Sequence, residues 1–360
     1  MTLRRIARSL ELSVTTASRA LGGFDDVAPE TRARVEAEAA RIGYRPNQIA
    51  RRLRSGRVGA VGVVLPAAAG QFDDPFFLRM LASVGPRLAA AGLDLLVAAA
   101  APGEDELATY RHLAEGRRVD GAIVFRTRVR DARLEYLLEA GLPFVAHGRA
   151  KTSRPYAHLD VDGEAACRAA TERLIGFGHK RIAMINAAAV YSFAHHRALG
   201  WRAAMRAAGL PATTLVHAEP TEANGYRLAA ALLREAMPPT ALVCATDRLA
   251  VGAMHAIAAA GLRAGRDVSV IGYDNLPMAS YTDPPLTTSE QPIERAAERL
   301  VEILLALFAG ADPASFAELW PTTLIARGSD GPPPSTAADD HGVPHEKSGE
   351  THALPHAPPR

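Results

Sequence analysis

The sequence predicts a small all-α helix-turn-helix head joined to an α/β body of two lobes with parallel sheets. Three observations carry that prediction. Positive charge gathers at the N-terminus: residues 1–57 hold 12 Arg and no Lys against 6 Asp or Glu, a balance of +6 in a chain whose formal net charge is +2. From Val58 onward, apolar strand-like runs alternate with amphipathic helical stretches. The segment from Ser329, with 5 acidic and 2 basic residues among many Pro and Gly, cannot bury a core and reads as a disordered tail, 329–360.

The head, residues 1–45, reads as three short helices. "LRRIARSL" puts Ile6, Ala7 and Leu10 on one face, "VTTASRAL" does the same with Ala17, Ala20 and Leu21, and "PETRARVEAEAARIGY" turns Val35, Ala39 and Ile42 inward. Thr2 and Ser13 stand at N-cap positions, Pro29 at a first helical position and Gly43 at a C′ position. Only "ELS" separates the first two helices, and so tight a turn makes a helix-turn-helix unit.

The second helix opens on Val14, Thr15 and Thr16, all mediocre helix formers because branching at Cβ restricts their rotamers. In a helix-turn-helix these first residues meet base edges in the major groove, so readout rather than propensity selects them. Val14 and Thr15 offer methyl and hydroxyl contacts, Thr16 and Ser18 reach phosphate or base, and Arg19 carries the fork that pairs with guanine. A plain surface helix in a small cap domain is the alternative. Next, "YRPNQIARRLRSGR" starts a helix at Pro46 and Asn47, with Ile49, Ala50 and Leu53 on one side and arginines elsewhere. A short basic helix with one projecting Leu suits a minor-groove wedge, so residues 46–57 read as a hinge helix and linker.

In the body, residues 58–328, the strand-like runs are "AVGVVLP", "LDLLVAAA", "VDGAIVF", "LPFVAHG", "KRIAMIN", "TTLVHAE", "ALVCATD" and "VSVIGYD". Helical stretches such as "FFLRMLASVGPRLAAAG", "GEAACRAATERLIGFG" and "RLAVGAMHAIAAAG" fall between them, which predicts parallel sheets covered on both faces. That length favours two similar lobes over a single sheet.

Composition excludes several classes. With 48% hydrophobic and 22% charged residues and no apolar run of about 18, the chain reads as soluble, with no membrane partner. No signal-peptide h-region is visible, so the expectation is cytoplasmic. Cys167 and Cys244, in apolar segments, read as buried reduced thiols. The nucleophile-elbow, phosphate-loop, zinc-protease and C-x-x-C motifs are missing, and "GFGHKR" at Gly176 lacks a third glycine and precedes a strand. The chain therefore reads as no enzyme, with no cofactor and no metal. His341 with His345 and His352 with His356 have metal-ligand spacing, but Pro344 and Pro355 interrupt both pairs. His195 and His196, being adjacent, point in different directions.

Taken together, these stretches resemble the LacI/GalR family of bacterial transcription regulators from Thr2 to about Arg327. "SVTTASRAL" resembles its recognition helix, "ETRARV" through "GYRPNQIARRLRSGR" its third and hinge helices, and "LIGFGHKRIAMI" its G-H-x-R-I strand. "TDRLAVGAM", "DVSVIGYDN" and "PPLTTSEQP" are similar to its later markers. The resemblance implies a homodimer on double-stranded operator DNA, with a core like periplasmic sugar-binding proteins and an effector in the cleft. It makes Leu53 the inserted hinge leucine, and Val14, Thr15 and Arg19 base readers. It makes Phe76 and Phe77 aromatics packed on the ligand, and Arg197, Asp274 and Gln291 polar residues gripping it.

Three departures stand out: Gly148 where many relatives carry Asp, Thr246 before Asp247 where Asn is usual, and Ala17 in place of Val. The first two remove a common hydroxyl acceptor, for which His147 and Asp160 are candidate replacements. "HGR" at 147–149 with "LDVD" at 159–162 resembles the branch linked to α-glucoside utilisation. Plainer roles stay open: helix caps for Asp162 and Asp247, core packing for Phe76 and Phe77. The expectation is a sugar-responsive repressor released from its operator by an α-glucoside or related sugar. The alternatives are a regulator with a nucleobase or other small effector, a carbohydrate-binding protein that does not touch DNA, and an α/β enzyme acting on a sugar or nucleoside.

Overall fold

The computed structural model describes residues 3–22, 24–44, 57–66, 74–100 and 105–334. The head consists of α1 (Leu3–Ser9), α2 (Val14–Leu21) and α3 (Pro29–Arg41). Ser13 caps α2, its Oγ accepting from Thr16 N at 2.9 Å, while Pro29 opens α3 and Gly43 follows it at φ +66. Ile6, Ala7, Ala17, Ala20, Val35, Ala39 and Ile42 form one apolar core, with Leu10 partly buried against it. Thr2, Asn47, Ala50 and Leu53, with all of the hinge except Arg57, lie outside the described residues.

In the first lobe come β1 (Ala60–Pro66), α4 (Pro75–Ala90), β2 (Asp94–Ala100), α5 (Glu106–Glu115), β3 (Gly121–Val124), α6 (Ala132–Ala140), β4 (Phe144–His147) and β5 (Ala157–Val161). The chain then crosses to the second lobe, with α7 (Gly163–Gly176), β6 (Ile182–Ala187), α8 (Ser192–Ala207), β7 (Leu215–Ala218), α9 (Glu222–Leu232), β8 (Ala241–Cys244), α10 (Asp247–Ala259), β9 (Ser269–Asp274) and β10 (Thr287–Glu290). It returns to the first lobe for α11 (Ile293–Phe308) and β11 (Ala317–Trp320), and crosses a third time into β12 (Thr323–Ile325).

All eight predicted strand runs are strands. The sheets have matching orders, β2-β1-β3-β4-β5-β11 and β7-β6-β8-β9-β10-β12, so the lobes repeat one topology. Every pairing is parallel except β10 with β12, which is antiparallel because the chain runs back along the sheet after its third crossing. Apolar helix faces cover both sides of the first sheet, and the second buries Trp201, Met184 and Ile271 in a single cluster. Close backbone packing in the second lobe depends on glycine: a Cβ on Gly200 would lie 2.0 Å from Glu164 O, where α8 meets α7.

The boundary expected at 328 needs correcting. Ser329 is fully buried, its Oγ donating to Val270 O at 2.6 Å and accepting from Thr287 N at 2.8 Å. Asp330 takes Arg173 and Thr287 Oγ1, and Gly331 O sits 2.8 Å from His179 Nε2. Composition hid this because the segment is held by hydrogen bonds rather than apolar side chains. Residues 335–360 lie outside the described residues.

Candidate functional site

Strand topology places the site. In a doubly wound sheet, ligands bind beyond the carboxyl ends of the strands, and here the carboxyl ends of both sheets face one cavity between the lobes. From the first lobe come Phe76, Arg126, Thr127, His147 and Asp160; from the second come Phe193, Arg197, Thr246 and Asp274, with Gln291 on the crossing into α11. The space they bound, including its open mouth, is about 690 Å³. The lobes meet across its edge through backbone hydrogen bonds from Ser192 N to Thr127 O (2.8 Å) and Val129 N to Val190 O (3.1 Å).

Seven of the eight expected effector residues line this cavity. The exception is Phe77, which is 2% exposed in the first-lobe core, edge-on to Phe125 with centroids 5.7 Å apart. Neighbouring residues on a helix point about 100° apart, so α4 can turn only one of the two phenylalanines to the cavity, and that one is Phe76. Asp160 reaches the cavity with its acceptors partly taken, by Arg149 Nε at 2.7 Å and Val161 N at 2.9 Å. His147 is half-buried, its Nε2 atom buried and unpartnered among the described residues, and desolvation holds its pKa below the ordinary value, keeping the ring neutral at pH 7.

The caps resolve as follows. Asp162 caps α7, accepting from Ala165 N at 2.9 Å. Thr246, not Asp247, caps α10; the Asp247 carboxylate instead accepts from Thr288 Oγ1 (2.5 Å) and Leu276 N (2.7 Å). Gly148 sits at φ +115, where a Cβ would lie 2.4 Å from Thr127 Oγ1, so the Asp common in relatives has no room here.

Arg197 leaves α8 to stand 3.4 Å from the Tyr273 ring centroid and 4.7 Å from that of Phe193, with one guanidinium nitrogen on Ala245 O. Asp274 ends β9 at φ +120, a strained conformation for a residue with a Cβ, and accepts from Gln291 Nε2 at 2.6 Å. Burial pushes its carboxyl well above the ordinary range, against the pull of Arg197. Sequence reasoning missed Asp74, Arg126, Phe193 and His196. Arg126 Nη2 binds Asp74 Oδ2 at 2.5 Å, and Asp74 also caps α4. His196 turns to the cavity while its neighbour His195 is exposed.

In the head, Val14 and Thr15 are exposed side by side at the start of α2, with Thr16 and Ser18 partly buried. Thr16 shares a hydroxyl contact with Ser13 at 2.8 Å. Arg19 is held by Asp26, with Nη2 to Oδ2 at 2.5 Å and Nε to Oδ1 at 3.1 Å, and it lies 4.8 Å from the Phe24 centroid. Exposed pairs are worth about 0–1 kcal/mol, so a bidentate guanine contact of about 1–3 kcal/mol would displace it.

Comparison with known proteins accords with both halves. Residues 2–47 match the bacterial regulatory proteins of the lacI family, and residues 171–329 match a periplasmic binding protein-like domain. The HTH-type transcriptional regulator AglR of Rhizobium meliloti (strain 1021) is 38% identical over 338 residues, 92% of this chain and 95% of that one. The chain belongs to the LacI family. It is accordingly a DNA-binding transcriptional regulator and not an enzyme. A lac repressor dimer bound to operator and the anti-inducer ONPF superposes with a TM-score of 0.79 at 26% identity, over 92% of this chain and 99% of that one. A complex of the transcriptional regulator CelR with cellobiose gives 0.70 at 29%, over 91% and 99%. Among the described residues of this LacI-family chain, no helix is long and apolar enough to cross a membrane.

Proposed function

We propose that this regulator is a cytoplasmic repressor that holds operator DNA as a dimer and leaves it when an α-glucoside seats between the lobes. The observation that carries the effector reading is the cavity's pairing of charges. Asp74 is answered by Arg126 and Asp160 by Arg149, each in a direct ion pair. A neutral ligand fits such a balance, whereas a charged one leaves a buried charge unmatched. Donors, acceptors and the rings of Phe76 and Phe193 together suit a polyol with apolar ring faces. The CelR complex with cellobiose supports a sugar in this cleft, and the "HGR" and "LDVD" stretches favour an α-glucoside.

The work divides along the chain. Residues 1–45 read the major groove through Val14, Thr15, Thr16, Ser18 and Arg19, with Thr2 and Ser13 as further DNA contacts. Asn47, Ala50 and Leu53 in the hinge, residues 46–57, engage the minor groove, and the body binds the effector and the second subunit. Signal has a short route between them. α11 starts two residues after Gln291 and ends at Phe308, whose carbonyl accepts from Arg57 at 2.9 Å where the hinge leaves. One helix of 16 residues, about 24 Å long, spans that distance.

The test begins with DNA that the protein retains from a fragmented genome, then titrates that complex with maltose, trehalose and sucrose. Arg197→Ala and Asp274→Ala should stay on the operator at sugar concentrations that release the parent, because losing charge-assisted hydrogen bonds costs about 1.5–3 kcal/mol each. Release of variants and parent at equal concentrations would refute the two assignments. Release by a nucleobase and by no sugar would replace the effector class.

A further inference from the structure

We infer that Phe24 is a positioning residue for base readout: its ring keeps hold of the Arg19 guanidinium after guanine has displaced Asp26, and so sharpens the choice of sequence. This rests on the reading of Arg19 as a base reader above. Phe24 stands just beyond the end of α2 and is 52% exposed. Its backbone is fastened on both sides. Phe24 N donates back to Arg19 O at 3.2 Å, while Phe24 O accepts from Arg32 Nη2 at 2.8 Å and from Val27 N at 3.3 Å. A bond of that reach, closing over the end of a helix, brings the two side chains together, and an apolar pair commonly fills the place. Here the pair is a cation and a ring, with the guanidinium carbon 4.8 Å from the Phe24 centroid. The ring also has a seat. Gly22 leaves it room, since a Cβ there would lie 2.8 Å from Phe24 Cε2.

Arg19 therefore has two neighbours that act on it differently. Asp26 takes N–H groups, with Nη2 to Oδ2 at 2.5 Å and Nε to Oδ1 at 3.1 Å, and so competes with a base for the donors of the fork. Phe24 attracts the positive charge through its ring and needs no N–H, so ring and base can be satisfied together. Fixing an arginine on a base costs the rotamer freedom of a long side chain. A ring that already confines the guanidinium reduces that loss, and an aliphatic side chain in the same seat has no such attraction for a cation. On DNA without the guanine, Arg19 stays with Asp26 and the ring gains nothing further. The effect of Phe24 thus falls on the cognate site and spares general affinity for DNA.

Fluorescence anisotropy of the full chain at fixed salt tests this. The probes are the duplex that the parent retains from fragmented genomic DNA, random DNA, and copies of that duplex in which each guanine is replaced in turn, in both half-sites, by 7-deazaguanine, which lacks the N7 acceptor. The guanine read by Arg19 is the one whose replacement costs the parent affinity and costs Arg19→Ala none. Phe24→Leu should weaken the unmodified duplex by about two- to fivefold per half-site, the range of an exposed cation–π contact, and leave that deaza duplex and random DNA unchanged. Phe24→Tyr, which keeps the ring, should match the parent, and Gly22→Ala, whose Cβ pushes the ring aside, should match Phe24→Leu. In the Arg19→Ala background, Phe24→Leu should cost nothing more. A Phe24→Leu loss that is equal on the unmodified and deaza duplexes, or that persists without Arg19, gives the ring a role of its own and overturns the inference. No loss on the unmodified duplex overturns it too. If Arg19→Ala itself loses nothing on the unmodified duplex, the base-reading assignment falls, and the role of Phe24 with it.

Discussion

Ending the chain after Arg327 should destabilise the second lobe, whereas ending it after Pro334 should not. The first truncation removes Ser329, Asp330 and Gly331 from between β9, β10 and α7. Lost with them are the bonds of Ser329 to Val270 and Thr287, those of Asp330 to Arg173 and Thr287, and those of Gly331 to Ser269 and His179. With Ser269 Oγ donating to Gly331 O as well, these bonds number seven, and at roughly 1 kcal/mol net each the loss is about 7 kcal/mol. Freeing three residues returns about 1–2 kcal/mol of backbone entropy each, so the net cost is about 1–4 kcal/mol. For a lobe of this size that is a fall in melting temperature of roughly 3–15 °C. His179, 1% exposed and bonded to Gly331 O, is among the groups left exposed to rearrangement. Differential scanning calorimetry on the full chain and both truncations reads the effect directly. Equal melting temperatures for the two truncations would show that these buried contacts carry no stability, and the packed boundary would have to be drawn at Arg327 after all.

Other outcomes follow from single groups. Arg19→Ala should weaken the cognate operator by about ten- to a hundredfold per half-site in a gel-shift titration while changing affinity for random DNA far less; equal losses on both would remove Arg19 from base readout. Sugar affinity should fall as pH is lowered through the raised pKa of Asp274, because a hydroxyl donates to its charged form and protonation turns one acceptor oxygen into a donor. The Asp274→Asn variant should show a flat profile, and a parent profile as flat as the variant's would count against the carboxylate. Cys167 and Cys244 are free and buried, with the Cys167 thiol pushed up to about 12 by burial. Neither should react with a thiol reagent until the protein is denatured, and prompt labelling of the native chain would contradict that packing.

What the residue pattern disclosed, and what it did not, follows from how far apart the interacting groups lie. The head is legible because its determinants are local: Ser13 caps three residues ahead, and the apolar positions of α1 to α3 repeat at helical spacing. The eight apolar strands are legible for the same reason. β10 is not, because its buried face is made of hydroxyls. Thr287, Thr288 and Ser289 are all 2% exposed or less, and the two threonines bond Asp330 and Asp247, 43 and 41 positions away. A polar run reads as a loop until its distant partners are known. Phe76 and Phe77 show the limit at close range: the family resemblance makes both ligand contacts, core packing is open to both, and only the phase of α4 decides between them. Arg126 shows the limit at long range. Its counter-ion Asp74 is 52 positions away, so in sequence it is one of four arginines in "FRTRVRDAR" and reads as solvated surface. It becomes a site residue only when β3 delivers it to the N-terminus of α4. The residues that set which ligand this cleft accepts are therefore the ones that sequence pattern alone is least able to name, since their chemistry exists only after both lobes have folded around it.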